Sequence, residues 1–172
     1  MAKVYIGIDN GTTGSVGIIS NMDDNKRVLY FHTPKKKELN YTKTKRFIHR
    51  VDGTKLKNLI SSSLIELGCI DPQDVMVFIE RPFTNIKAIN TMLLSVRALE
   101  ATLIVIELLG LPYMYVDSKE WQRHMLPSGL EKKELKMASM QVGQRLFPSV
   151  DFSDFDDADG LLIAEYYRRK GF

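Results

Sequence analysis

Residues 4–19 read VYIGIDNGTTGSVGII, an apolar run, a glycine-rich turn and a second apolar run. The first run, residues 4–8, is continuous and rich in β-branched residues, as in a buried central strand. Asn10-Gly11 and Thr13-Gly14 are turn signals, so the stretch predicts a β-hairpin. Asp9 places one carboxylate at the end of the first strand, where an unpaired charge is expensive to bury. It either caps the turn, or faces a metal or phosphate that the glycines allow to approach.

Length and charge limit the class of protein. The chain has 172 residues and a net charge of +3, which predicts one domain over residues 1–172 with a real core. Residues 35–50 are strongly basic and residues 151–159 strongly acidic, which suits a protein that grips a polyanion and holds cations at one point. Cys69 is the only cysteine, so neither an internal disulfide nor a cysteine-rich zinc site is expected. The N-terminus does not resemble a signal peptide and no uncharged apolar run approaches the ~20 residues of a membrane span, so we expect a cytoplasmic protein without a membrane partner.

A second buried strand repeats the opening arrangement. Residues 75–79 read VMVFI and end in Glu80. Open α/β sheets hold their ligands in the crevice beyond the carboxyl ends of the strands, where Asp9 would also lie. Alternatively, Glu80 forms an ion pair with Arg81.

The remaining elements alternate between strands and helices. Residues 27–33 predict a third strand, antiparallel to the hairpin, and residues 113–116 a short strand. The long helix over residues 86–109 is apolar on more than one face, so it packs either on the sheet and a partner subunit or as a central core helix. Further helices are expected over residues 55–67, from a Ser118 cap to residue 125, over residues 131–147 and after Asp159. The fold class predicted is α/β, with a mixed central sheet of three antiparallel N-terminal strands plus parallel strands, flanked by helices.

An acidic pair precedes the last helix. Asp156 and Asp159 are three residues apart and would share one helical face, where a bound cation would offset their repulsion. The alternative is a surface acidic cluster that caps the helix.

Four carboxylates, Asp9, Glu80, Asp156 and Asp159, form the candidate metal and catalytic set. The set contains no histidine or cysteine, which argues against zinc, and oxygen ligands suit Mg²⁺ or Mn²⁺. Two such ions about 3.5–4 Å apart can activate water and stabilise the leaving 3′ oxygen in phosphodiester cleavage. The residues therefore predict a metal-dependent nuclease without naming its substrate.

The basic stretch is either a solvated loop or a phosphate-binding loop whose aromatic residues stack on exposed bases. Beside a nuclease site, the second interpretation favours DNA. Its candidate DNA-binding residues are Lys35, Lys36, Lys37, Lys43, Lys45 and Arg46.

The motifs IGIDNG, VFIE and DDADGLLIA, in this order and spacing, resemble those of RuvC, the Holliday junction resolvase of the RNase H-like superfamily. The likeness runs from about residue 4 to residue 167. It implies an RNase H-like fold, two Mg²⁺ ions per site with Mn²⁺ as a substitute, and a homodimer that nicks four-way and other branched DNA symmetrically. The basic stretch and the spacer before the last helix differ from the bacterial pattern, so we expect a phage-type member.

The resemblance also implies residue roles. Asp9, Glu80, Asp156 and Asp159 would be the metal ligands, whereas Asp157 falls between the last two and would face away. Phe83 lies where the family has an aromatic residue that stacks on junction bases. Lys119 and one of two later lysines match, loosely, basic residues near the scissile phosphate; the two candidates are Lys132 and Lys133. The long helix over residues 86–109 would supply part of the dimer interface.

Three alternatives stay open. An RNase H acting on RNA–DNA hybrids would use the same carboxylates but could work as a monomer. An actin-like or sugar-kinase ATPase also has a D-x-G-T-T loop, although it needs a second domain and a second phosphate loop. The retained carboxylates argue against a non-catalytic junction-binding module.

Overall fold

The structure is a computed structural model that describes residues 2–22, 26–40, 43, 46–82, 86–131 and 133–172. Within these ranges the structure has seven strands and five α-helices, with the first five strands preceding the first helix. The strands are β1 (Val4–Ile8), β2 (Ser15–Ser20), β3 (Arg27–His32), β4 (Lys35–Leu39), β5 (Phe47–Val51), β6 (Val75–Glu80) and β7 (Tyr113–Val116). The helices are α1 (Gly53–Glu66), α2 (Ile89–Leu108), α3 (Ser118–Met125), α4 (Leu135–Leu146) and α5 (Asp159–Lys170).

The main sheet has five strands in the order β3-β2-β1-β6-β7. Strands β1, β2 and β3 are antiparallel neighbours, whereas β6 pairs in parallel with both β1 and β7. The tight turn after Asp9 explains the antiparallel half, and the helical connections explain the parallel half. The predicted mixed sheet flanked by helices is confirmed.

Helices cover both faces of the sheet. Successive side chains of β1 point to opposite faces, so each face has its own apolar core. Val4, Ile6 and Ile8 pack with α1 and α2 on one face. Tyr5 packs with α3, α4 and α5 on the other. Strand β1 is therefore packed against apolar side chains on both faces.

Helix α5 lies unusually close to the sheet, and glycines make this possible. A Cβ atom on Gly7 would lie 2.5 Å from the backbone nitrogen of Ala164, and one on Gly17 would lie 2.5 Å from that of Leu161. Gly160 faces the backbone of β2 in the same way. The first turn of α5 is therefore held against the carboxyl end of β1.

The basic stretch is a β-hairpin rather than a loop. Strands β4 and β5 pair from Lys35↔Val51 to Leu39↔Phe47 and form a separate two-stranded sheet. No alternating apolar pattern marks β4, because four of its five residues are exposed and the fifth is only half-buried. The hairpin is tied to the body where Asp52 donates its backbone N–H to the carbonyl of Pro34, 2.8 Å away.

Helix α2 is buried on one side only, so the interpretation as a central core helix is wrong. Its buried residues are Ala98, Thr102, Val105 and Ile106. Its exposed apolar residues are Ile89, Leu93, Leu94, Val96, Ile104 and Leu108. Within the described ranges, α2 is also the one helix with the length and apolar composition of a membrane span. This finding rests on length and composition alone, and the expected absence of a membrane partner stays a prediction.

Several helix starts differ from the sequence prediction. Asp117, not Ser118, caps α3, and its carboxylate accepts a hydrogen bond from the backbone N–H of Lys119. Helix α4 begins at Leu135, four residues later than predicted. Helix α5 begins at Asp159, so Asp156 precedes the helix.

Candidate active site

Strands β1 and β6 bring the first two carboxylates together. The parallel register runs from Val4↔Val75 to Ile8↔Ile79, so Asp9 and Glu80 follow as the next pair. Both carboxylates are partly buried. The juxtaposition that the two apolar strands predicted therefore results directly from their pairing.

Helix α5 and the residues before it add two more carboxylates. Oxygen atoms of Asp9, Asp157 and Asp159 all lie within 4.8 Å of one another. Glu80 stands beside this group, since its charge acts on Asp9. Oxygen ligands at such separations fit a hard divalent cation, which the four residues together could hold.

The prediction that Asp156 and Asp159 share a helical face is wrong. Asp156 lies before the helix, is exposed, and borders a separate pocket with Thr12, Thr13 and Lys35. Asp157 is 8% exposed and takes the place in the cluster that the three-residue spacing had assigned to Asp156. The i, i+3 rule requires helical backbone at both positions, and only Asp159 has it.

Burial and mutual repulsion disfavour the charged forms of the cluster. Burial raises the pKa of Asp9 to about 7, and the charges of Glu80 and Asp157 add to this effect. Burial also raises the pKa of Glu80 to about 7, although a hydrogen bond from Trp121 lowers it. Burial and then the charge of Asp157 raise the pKa of Asp159 to about 7. The site thus carries more negative charge than it can stabilise alone, and a cation would relieve it.

Neutral donors behind the cluster orient two of its carboxylates. The indole Nε1 of the fully buried Trp121 donates to Oε2 of Glu80 over 2.9 Å. The Ser139 hydroxyl donates to Oδ1 of Asp159 and accepts from the backbone N–H of Ala158 at 3.1 Å. Such outer partners fix the direction in which a carboxylate presents its free oxygen.

Lys136 supplies positive charge at the mouth of the site. Its Nζ lies 3.2 Å from Oδ2 of Asp157, and the side chain is 63% exposed. Partial burial lowers the pKa of Lys136, but the hydrogen bond to Asp157 and the charges of Asp156 and Asp159 outweigh this and raise it overall. Lys136 and Ser139 are three residues apart on α4, so one helical face contacts two of the aspartates.

Tyr30 ties the acidic segment to the sheet. Its hydroxyl lies 2.9 Å from both Oγ of Ser15 and the carbonyl oxygen of Asp157. The Ser15 hydroxyl also accepts from the backbone N–H of Gly160 at 3.1 Å. These bonds hold the start of α5, and with it Asp159, against β2 and β3.

Two solved structures illustrate the similarity of this architecture to known proteins. A T. thermophilus RuvC in complex with a Holliday junction substrate superposes with a TM-score of 0.60 at 16% identity, over 98% of this chain and 96% of that one. The chain has the fold of RuvC. Another structure, of Thermus thermophilus RuvC, has a TM-score of 0.51 at 18% identity, with the same coverage. No protein-family model and no curated protein matches the chain.

In this RuvC fold, the predicted DNA-binding residues fall into two groups. Lys119 is exposed on α3, and Lys133 is exposed and pairs with Glu131 at 3.2 Å rather than with the carboxylates. The others lie on or beside the β4–β5 hairpin and are exposed; those described are Lys35, Lys36, Lys37, Lys43 and Arg46. Phe83, Lys45 and Lys132 lie outside the described residues.

Several residues of the candidate site were not identified from the sequence. No motif pointed to Lys136, Ser139, Trp121 or Tyr30. The distances between these side chains in space depend on how the helices and strands pack. No local sequence pattern predicts that packing. For Asp157 the sequence did contain a signal. Two adjacent aspartates precede α5, and either of them could have faced the carboxylate cluster.

Proposed function

We propose that the protein is a metal-dependent endonuclease that cuts four-way and other branched DNA. The observation that carries this proposal is a cluster of four carboxylates at the strand ends of a RuvC-like fold, formed by Asp9, Glu80, Asp157 and Asp159. The T. thermophilus RuvC structure that shares this fold contains a Holliday junction substrate, which supports branched DNA as the substrate class.

The donor set fits divalent cations. Three of the carboxylates have a pKa near 7. At neutral pH their deprotonation therefore costs little free energy when a cation binds. We propose Mg²⁺, two ions per site, with Mn²⁺ able to substitute. When bound, the ions would lower the pKa of the attacking water and neutralise charge at the leaving 3′ oxygen.

The side chains of the protein would orient the substrate around this group. Lys136, exposed and beside Asp157, is placed to receive a non-bridging oxygen of the scissile phosphate. Trp121 and Ser139 would keep Glu80 and Asp159 in ligating orientations. Contacts of Lys119 and Lys133 with flanking phosphates stay a prediction.

We propose that the protein acts as a homodimer through α2. Six exposed apolar residues on one helix form a face that water solvates poorly, and a second copy of the same helix would cover it. Two sites in one dimer would nick two strands of a junction as a pair. Light scattering tests the dimer directly: a monomeric mass at micromolar concentration would rule it out.

Cleavage of a labelled four-way junction tests the activity. We expect paired, symmetric nicks in Mg²⁺ and none in EDTA, with linear duplex left intact. Cleavage of an RNA–DNA hybrid instead would favour the RNase H alternative. Phage origin, cytoplasmic location and a single domain stay predictions.

Separate substitutions of Asp156 and Asp157 test which of the two neighbouring aspartates is the fourth metal ligand. We expect Asp157→Asn to reduce junction cleavage by roughly 10²-fold or more, because it removes a carboxylate from the cluster. Asp156→Asn should stay within a few-fold of wild type, because Asp156 is exposed beside a separate pocket. Single-turnover cleavage rates measure both, and the reverse order of effects would restore Asp156 as the ligand.

A further inference from the structure

Asn10, the residue directly after Asp9, connects the end of β1 to helix α2. Its side-chain Nδ2 donates a hydrogen bond to the backbone carbonyl oxygen of Ser95 over 3.1 Å. Ser95 lies within α2, 85 residues further along the chain. Among the residues that the structure describes, this is the one hydrogen bond that a side chain of residues 10–14 forms. The glycine-rich turn is therefore connected to α2 through this amide.

The two neighbouring side chains at the end of β1 contact opposite layers of the fold. Ile8 packs in the core that β1 shares with α1 and α2. Asp9 points the other way, to the cluster with Asp157 and Asp159. Asn10 returns to the α2 side, as the alternation of an extended chain requires. A shift of α2 against the sheet would therefore reach the residue directly after Asp9.

The stability of the fold does not explain this amide. Oδ1 of Asn10 is buried and has no hydrogen-bond partner within the described ranges. A buried acceptor without a partner is destabilising, and one neutral hydrogen bond returns only a modest amount of free energy. The Ser95 carbonyl does not depend on Asn10 either, because helical geometry gives it a second donor in the backbone N–H of Leu99. An apolar side chain of similar size would leave neither group unpaired.

We propose that Asn10 is a positioning residue that holds Asp9 at a fixed place relative to α2 and thereby sets the metal affinity of the carboxylate cluster. The inference rests on the proposed function and adds what supports its central metal ligand. Groups behind a metal ligand fix the direction of its free oxygen, and Asn10 does so through the backbone it shares with Asp9. Leu94 and Val96, on either side of Ser95, belong to the exposed apolar face of α2. The same helix thus carries the proposed dimer contact and the support of Asp9.

Three variants separate positioning from stability. Asn10→Leu removes the amide and keeps a side chain of similar size, and Asn10→Ala removes the amide together with its volume. Thr13→Ala, at an exposed position of the same turn, is the matched control. Mn²⁺ alone is the probe, and the electron paramagnetic resonance signal of free Mn²⁺ gives its dissociation constant without DNA or turnover. Thermal unfolding in EDTA gives the stability of each metal-free variant.

We expect Asn10→Leu to weaken Mn²⁺ binding by roughly tenfold, the lower end of the effect of removing a group that orients a metal ligand. Its melting temperature in EDTA should equal or exceed that of wild type, because the unpaired acceptor is gone. Asn10→Ala should lose Mn²⁺ affinity to the same extent, and Thr13→Ala should bind Mn²⁺ as wild type does.

Wild-type Mn²⁺ affinity in both Asn10 variants would overturn the inference, as would an equal loss of affinity in Thr13→Ala. A loss of affinity that comes with a lower melting temperature in both Asn10 variants would show a structural role and overturn it too. These results leave the proposed function intact. A wild type that binds Mn²⁺ but cuts no branched DNA would overturn the proposed function and keep the role of Asn10, and a wild type that binds no Mn²⁺ would overturn both.

Discussion

Asp9→Asn is expected to abolish junction cleavage and, at the same time, to stabilise the metal-free protein. The substitution removes a ligand at the centre of the cluster, and losing several kcal/mol of transition-state stabilisation corresponds to at least roughly 10³-fold in rate. It also removes one of several carboxylates that repel one another. Activity and stability should therefore change in opposite directions, as at other sites built from unfavourable charges.

The stability effect has a defined pH dependence. Asp9, Glu80 and Asp159 have folded-state pKa values of about 7, above the unfolded values near 4. Between about pH 4 and pH 7 the folded protein holds protons that the unfolded chain has released, so the free energy of unfolding falls as pH rises, by up to ~1.4 kcal/mol per unit for each group. Wild type should thus be less stable at pH 8 than at pH 5 without divalent cations.

Thermal unfolding in EDTA at both pH values measures this. Asp9→Asn should show a smaller drop between pH 5 and pH 8, and Mg²⁺ should raise the melting temperature of wild type more than that of the variant. Asp154→Asn, an exposed acid in the same segment, serves as the control and should behave as wild type. A wild type that grows more stable from pH 5 to pH 8 in EDTA would contradict the proposed repulsion.

Gly7→Ala is expected to destabilise the fold by about 3 kcal/mol or more, because the added methyl group meets backbone rather than a movable side chain. Its Cβ would lie 2.5 Å from the Ala164 nitrogen and against the carbonyl oxygen of Gly160. Helix α5 would have to move away from β1, which also displaces Asp159. We therefore expect loss of cleavage along with loss of stability.

Urea denaturation compares this variant with a matched one. At Gly53, the first residue of α1, an added Cβ would have ordinary contact with Val105 at 3.6 Å. Gly53→Ala should leave the free energy of unfolding unchanged or raise it slightly, by analogy with other helical Gly→Ala changes. Similar midpoints for Gly7→Ala and wild type would show that α5 adjusts without strain.

The sequence predicted the sheet and the first two carboxylates because both depend on local patterns. Apolar runs identified β1 and β6, and their parallel pairing places Asp9 beside Glu80. The position of Asp157 in the carboxylate cluster was not predicted because it depends on the residue at which α5 begins, and helix boundaries are set partly by contacts such as that of Tyr30 with Asp157. The roles of Lys136, Ser139 and Trp121 depend on α3 and α4 packing against α5, for which no local pattern exists.

The close approach of α5 to β1 has a consequence for how distant relatives can be recognised. Gly7 stands two residues before Asp9, and Gly160 directly follows Asp159. The steric requirement of the helix–sheet contact and the chemical requirement of the cluster thus fall into two short segments, G-x-D and D-G. The rest of the core can exchange apolar residues freely as long as volume is kept. A pattern search that weights these two segments and their separation should therefore detect chains that combine this helix–sheet contact with this cluster, even where little else of the sequence is shared.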